Sequence, residues 1–199
     1  PYTLHVAEVR DASPAANRTR NFSCPLVVHG PVLSLTEIPR ERFGTTIQDT
    51  PDLPVKAADP WTINVFVRTD KQPANHTVLV GMGVNAMKPG QSRFLCKFAS
   101  GVHFWSHNQD AVTRVPFDLG RWQMITATYD GATVRVYKDA TVIAERAATF
   151  ADDENAVHIA PLDPWDQRYQ FKGDLSHLTI WNAALGEESL KALLGAGPK

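Results

Sequence analysis

Two strand-like runs flanking an Asp-Gly pair constrain the fold of this chain more than any other local feature. Residues 121–129 and 133–138 are rich in β-branched and aromatic side chains, and Asp130-Gly131 lies between them. An Asp-Gly pair readily takes the positive backbone angles of a tight hairpin turn, so the two runs read as neighbouring antiparallel strands. Comparable runs recur at 3–9, 25–35 (broken by Gly30-Pro31), 61–68, 77–81, 92–98, 102–106, 141–145, 156–160 and 175–181, each cut off by turn residues. Residues 92–106 form a second hairpin around Ser100-Gly101. Strands at this spacing predict an all-β sandwich or barrel. Only residues 187–194 predict a helix: Glu187 and Glu188 suit the positive end of its dipole, and Gly195 with Gly197-Pro198 stops it.

The 199 residues suit one large all-β domain, and the 43% apolar fraction can fill a core. A net charge of -1 argues against a nucleic-acid partner, which demands a basic face, and against an anionic membrane surface. No apolar run approaches the ~18–20 residues of a membrane span. The chain opens on Pro1 rather than Met, which reads as a processed or excised piece. Cys96 shares a strand face with Phe94 and Phe98 and is expected to be buried as a small apolar residue; a Cys24–Cys96 disulfide is the alternative.

Five segments, in order, resemble the laminin-G-like and pentraxin-like jelly rolls of the concanavalin A-like lectin/glucanase superfamily. Trp61-Thr62-Ile63-Asn64-Val65-Phe66-Val67 is similar to their early "F-T-I-x-x-W-V" strand. Residues 122–131 resemble "W-x-x-V-A-x-T-Y-D-G", and Val136-Tyr137-Lys138-Asp139-Ala140 resembles the following "Y-V-D-G". Val157-His158-Ile159-Ala160 stands for the short "L-x-I-G" strand, and residues 171–185 for the closing "F-x-G-x-I-D-D-V-x-I-Y-N-R-A-L". The resemblance implies an antiparallel jelly-roll sandwich over residues 43–199 with one short C-terminal helix. Residues 1–42 match nothing in the family and read as added strands or a packing arm. Ala140 replaces a turn glycine, so that hairpin is expected to use another turn geometry. Ala160 also replaces a glycine, and Ser176-His177 replaces the family's acidic pair.

Catalytic signatures are lacking. The related sandwich glycosidases place carboxylates two apart on one strand face, and this chain has no such array. Residues 169–173 only superficially echo the tyrosine strand of alginate-lyase-like sandwiches, and no nucleophile elbow, zinc-helix motif, CxxC or phosphate loop is present. The candidate site residues are therefore ligand-binding ones. In His103-Phe104-Trp105-Ser106-His107, alternation places His103, Trp105 and His107 on one face. With Phe104 in the core, Trp105 could stack on a sugar ring while the histidines bond hydroxyls; the competing reading packs Trp105 under a loop. Asp163-Pro164-Trp165-Asp166 reads as a sugar-contacting or calcium-contacting loop through Asp163, Trp165 and Asp166, or as a stiff turn that Trp165 closes. Calcium is the cofactor the resemblance implies, with Asp152 and Asp153 as its candidate ligands.

These observations lead to a non-catalytic, lectin-like carbohydrate-binding module of a secreted or periplasmic multidomain protein, with partners that are a carbohydrate ligand or neighbouring domains. A structural module packing against other domains and an atypical glycoside hydrolase or polysaccharide lyase are the alternatives, because sites rather than folds decide function.

Overall fold

The computed structural model describes residues 4–6, 22–24, 30–47, 53–150 and 154–199, with side chains from residue 30 onward. The chain divides into two compact units, residues 1–30 and 31–199. In the first, β1 (Leu4–Val6) pairs antiparallel with β2 (Phe22–Cys24), Leu4 opposite Cys24.

The second unit is a sandwich of two six-stranded antiparallel sheets. Its strands are β3 (Leu33–Ile38), β4 (Thr45–Ile47), β5 (Trp61–Arg68), β6 (Val78–Gly83), β7 (Ser92–Phe98), β8 (Gly101–Trp105) and β9 (Ala111–Val112). They continue with β10 (Gln123–Tyr129), β11 (Thr133–Lys138), β12 (Thr141–Ala147), β13 (Val157–Ile159) and β14 (Asp174–Trp181), and helix α1 (Glu187–Gly195) follows. One sheet has the order β12-β11-β10-β5-β14-β3, and the other β4-β13-β6-β7-β8-β9. Leu33–Ile38, inside the 1–42 segment that sequence set apart, is thus an edge strand of the first sheet.

Alternation explains the core. In β5, Trp61, Ile63, Val65 and Val67 join the cluster between the sheets, while Phe66 belongs to a different cluster on the opposite face. Trp61 meets Phe104 of β8 at 5.8 Å, Tyr129 of β10 at 5.5 Å and Phe150 at 5.7 Å, so one aromatic group ties the two sheets together. Both outer faces also carry apolar layers. On the first sheet, Phe66, Met124, Tyr137 and Ala140 pack with Leu190 of α1, which gives the short helix its apolar anchor. On the second, Val78, Phe94, Cys96 and Trp105 pack with Trp165. Cys96 is buried there with a free thiol, which burial pushes well above its ordinary pKa.

The hairpin at Asp130-Gly131 forms, with Gly131 alone of the pair at positive φ. Gly131 has φ 97°, and Asp130 Oδ1 accepts the N–H groups of Ala132 and Thr133 at 3.0 and 2.8 Å. The Asp139-Ala140 turn corrects an expectation. Both residues take the left-handed conformation, φ 48° and 62°, so the hairpin keeps two left-handed residues without a glycine. Asp139 tolerates that region, and its Oδ1 accepts Met124 N–H at 2.8 Å, while Ala140 is held by burial against α1's layer. Ala160 likewise takes φ 40°. In β14 a register shift falls between Ser176 and Thr179, with His177 at φ 49°; the pair that replaces the family's acidic residues therefore sits in a β-bulge. No helix among the described residues is long and apolar enough to cross a membrane.

Candidate functional site

The outer face of the second sheet carries a continuous run of rings. His158 of β13 meets Phe94 of β7 edge-on at 5.4 Å, and Phe94 meets Trp105 of β8 at 5.8 Å. Trp105 meets Trp165 at 4.6 Å, and Trp165 stacks on His76 at 4.3 Å with 26° between planes. His76 stacks on Phe98, which meets His103. Alternation put His103 and Trp105 on the face opposite Phe104, and the structure places them there. Trp105 is only 3% exposed, beneath Trp165. His103 is buried with its Nε2 3.1 Å from Asp110 Oδ1, and His107 lies beyond β8 in a turn, half-buried.

Asp163 organises the loop that carries Trp165. Its side chain is buried, and Oδ1 accepts the N–H groups of Trp165 and Asp166 at 3.1 and 2.9 Å. Oδ2 accepts those of Arg168 and Tyr169 at 2.7 and 2.8 Å. Burial alone would favour the neutral acid. The N–H groups of Asp166, Tyr169 and Arg168 outweigh it and hold the pKa down to about 2. Both oxygens of Asp163 are therefore turned to the loop's own backbone. Asp166 is exposed, with its carboxylate 3.5 Å from Arg168.

The same loop runs on into the wall of a cavity of about 530 Å³. It is lined by residues 69–74 and Thr77 from one loop and by residues 168–174 from another, together with Arg40 and Arg68. His76 belongs to the first loop and Trp165 to the segment leading into the second, so their stack joins the two walls. Gly173 is required in the wall, because a Cβ there would sit 2.3 Å from the Arg68 carbonyl oxygen and the Phe171 ring. Asp174 bonds Arg40 at 2.8 Å and Arg68 at 2.9 and 3.1 Å, and Arg68 also lies over the Trp122 ring at 5.0 Å. Two features of the lining suit a polar ligand with a flat apolar face. Tyr169 is 41% exposed, and Thr77 is 1% exposed with an Oγ1 that has no hydrogen-bond partner among the described residues.

Sequence reasoning named Trp105, Asp163 and Trp165, which the structure brings together through the Trp105–Trp165 ring contact and the Asp163–Trp165 hydrogen bond, though none of the three lines the cavity. It missed Thr77, Lys71, Arg168, Tyr169 and Lys172, which line it. The signal available was the run Arg168-Tyr169-Gln170-Phe171-Lys172, two cations and two aromatics in one short stretch. The calcium candidates Asp152 and Asp153 lie outside the described residues. Next to them, the Glu154 carbonyl and Asn155 Oδ1 both accept from the buried Arg93 guanidinium, the latter at 3.0 Å. Among the described residues no three His, Cys, Asp or Glu side chains are grouped to hold a metal ion.

The family model of the concanavalin A-like lectin/glucanases superfamily, in its laminin G type 3 form, matches residues 44–191. The chain belongs to this superfamily. No curated protein matches the sequence of this superfamily member. Solved structures share its fold at low identity. Domain 4 of AbnA, an extracellular arabinanase of Geobacillus stearothermophilus solved with arabinotriose, is 19% identical with a TM-score of 0.58. That match covers 68% of this chain and 66% of that one, just under two thirds of its length. The CBM40 of the Ruminococcus gnavus IT-sialidase, solved with α2,3 sialyllactose, is 16% identical with a TM-score of 0.63, covering 85% of this chain and all of that one. The binding domain of Paraclostridial Mosquitocidal Protein 1 is 15% identical with a TM-score of 0.53, over 70% of this chain and 38% of that one. At these identities the likeness is one of sandwich architecture, and this superfamily member's own cavity must carry any functional reading.

Proposed function

We propose that this chain is a non-catalytic carbohydrate-binding module of a secreted or periplasmic multidomain protein, and that the sugar occupies the cavity between residues 69–77 and 168–174. One observation carries the reading: the cavity is lined both by the exposed Tyr169 and by Thr77, whose buried Oγ1 has no partner among the described residues. A buried polar group left unmade costs stability, and a ligand hydroxyl would satisfy it. The Tyr169 ring offers the apolar face on which a pyranose stacks, and rigid sandwiches carry binding residues on such loops. The solved relatives that hold arabinotriose and sialyllactose support this choice of ligand class.

A glycan array probed with the purified chain tests the proposal. Specific, saturable binding that Tyr169→Ala weakens by about tenfold or more, with thermal unfolding unchanged, is the expected result. A blank array, or binding indifferent to Tyr169→Ala, would overturn it.

A further inference from the structure

We infer that the ligand of this cavity is an acidic saccharide, bound through the carboxylate of a uronic or sialic acid residue; the inference rests on the sugar-binding reading above. The charge of the lining is the starting point. Arg40 and Arg68 are both closed onto the single carboxylate of Asp174, at 2.8 and 2.9 Å, so this trio keeps one net positive charge. Three further cations, Lys71, Arg168 and Lys172, line the cavity against one further carboxylate, Asp70. The ammonium groups of Lys71 and Lys172 have no ion partner among the described residues. Arg168 has only the loose 3.5 Å contact to Asp166, and both partners are exposed, an arrangement that contributes little. The whole chain carries a net charge of -1, so this local excess of cations is not a property of the surface at large.

Geometry gives that charge a fixed frame. Asp163 accepts the backbone N–H groups of both Arg168 and Tyr169, so one buried carboxylate fixes the stretch of backbone from which the cation and the stacking ring project. Thr77 also lines the cavity, and its buried, unpartnered hydroxyl would supply a second, uncharged hydrogen bond. A ring that stacks on Tyr169, presents a hydroxyl to Thr77 and turns a carboxylate toward Arg168 and the lysines satisfies all three groups at once. A charge-assisted hydrogen bond is about twice as strong as a neutral one, which is where discrimination against a neutral sugar arises.

Titration calorimetry with the full chain and four probes tests the inference: 3′-sialyllactose, lactose, trigalacturonate and α1,4-linked galactotriose. At least one acidic probe is expected to bind roughly tenfold more tightly than its neutral counterpart, with the preference shrinking as salt is added. Which acidic probe binds distinguishes a sialic from a uronic acid source. A variant carrying Lys71→Gln, Arg168→Gln and Lys172→Gln is expected to lose most of that preference; these exposed side chains leave the core untouched, and an unchanged unfolding temperature confirms it. Neutral sugars binding as tightly as acidic ones, or an acidic preference that survives in the triple variant, would overturn the inference and leave the sugar-binding reading standing. Failure of all four probes to bind would overturn the inference, and the glycan array then decides the sugar-binding reading separately.

Discussion

The imidazole of His76 stacks on the indole of Trp165, centroids 4.3 Å apart and planes 26° from parallel. This contact joins the loop before β6 to the loop that Asp163 organises, and those loops wall the cavity. His76 takes φ 68° to make it, a conformation that non-glycine residues adopt rarely, so the surrounding structure holds the ring in place. Trp165→Ala should therefore loosen both walls without opening the core. Amide exchange in residues 69–77 should quicken in the free protein, and sugar binding should weaken. Unchanged exchange in that loop would mean that the stack holds nothing.

Trp105→Ala should act differently. The side chain is 3% exposed between Phe94 and Trp165, and truncating a buried tryptophan costs about 3–5 kcal/mol. Calorimetry should show a fall in Tm of more than about 6 °C. A Tm equal to that of the unaltered protein, with binding lost, would restore Trp105 as a sugar platform.

Thr77→Val removes the unpartnered hydroxyl at nearly constant volume. Urea melts of the free protein should show a gain of about 1 kcal/mol, because an unmet buried polar group disappears. Binding should weaken in the same variant. A loss of stability would show that the hydroxyl has a partner in the free protein.

Asp163 gives the fold an acid-sensitive element. Its folded pKa of about 2 lies below its ordinary 3.8, so its contribution is complete above 3.8 and is lost as pH falls toward 2. Asp163→Asn should cost about 2 kcal/mol or more at neutral pH, where charge-assisted bonds to backbone are lost. Melts repeated down to pH 2 should show the gap between the two proteins closing over that interval; a pH-independent gap would refute the account.

His158 acts higher on the pH scale. Burial lowers its pKa from 6.5, and the Gly83 carbonyl, 2.8 Å from Nε2, only partly opposes this. Below 6.5 the unfolded chain takes up a proton that the folded one resists, so stability should begin to fall there. His158→Gln, which keeps a donor for Gly83, should flatten that portion of the curve. Superimposable stability profiles for the two proteins would exclude His158 as its origin.

Much of the sandwich was legible because its strands alternate. Trp61–Arg68, Ser92–Phe98 and Thr133–Lys138 were read to the residue, since one face of each meets the core. Thr45–Ile47 and Ala111–Val112 were missed; strands of three and two residues are too short for a period to show. At the site, alternation put Trp105 on the right face but was blind to what covers that face. Trp165 covers it from a loop some 60 residues away in sequence, through a contact that no local pattern encodes. The cavity was invisible for the same reason: Lys71 and Tyr169 become neighbours only when the two loops fold against each other.

The ring layer over the second sheet bears on how a polysaccharide could be met. Phe94, Trp105 and His103 of that layer are buried, as is Cys96, so these rings offer no exposed surface on which the middle of a polymer could lie. The proposed sugar site is instead the cavity lined by the loops after β5 and before β14, which under the proposed function takes the tip of a glycan. Occupancy of a polymer would then scale with the number of its ends rather than its mass, and trimming a long chain into short ones would create binding sites instead of destroying them.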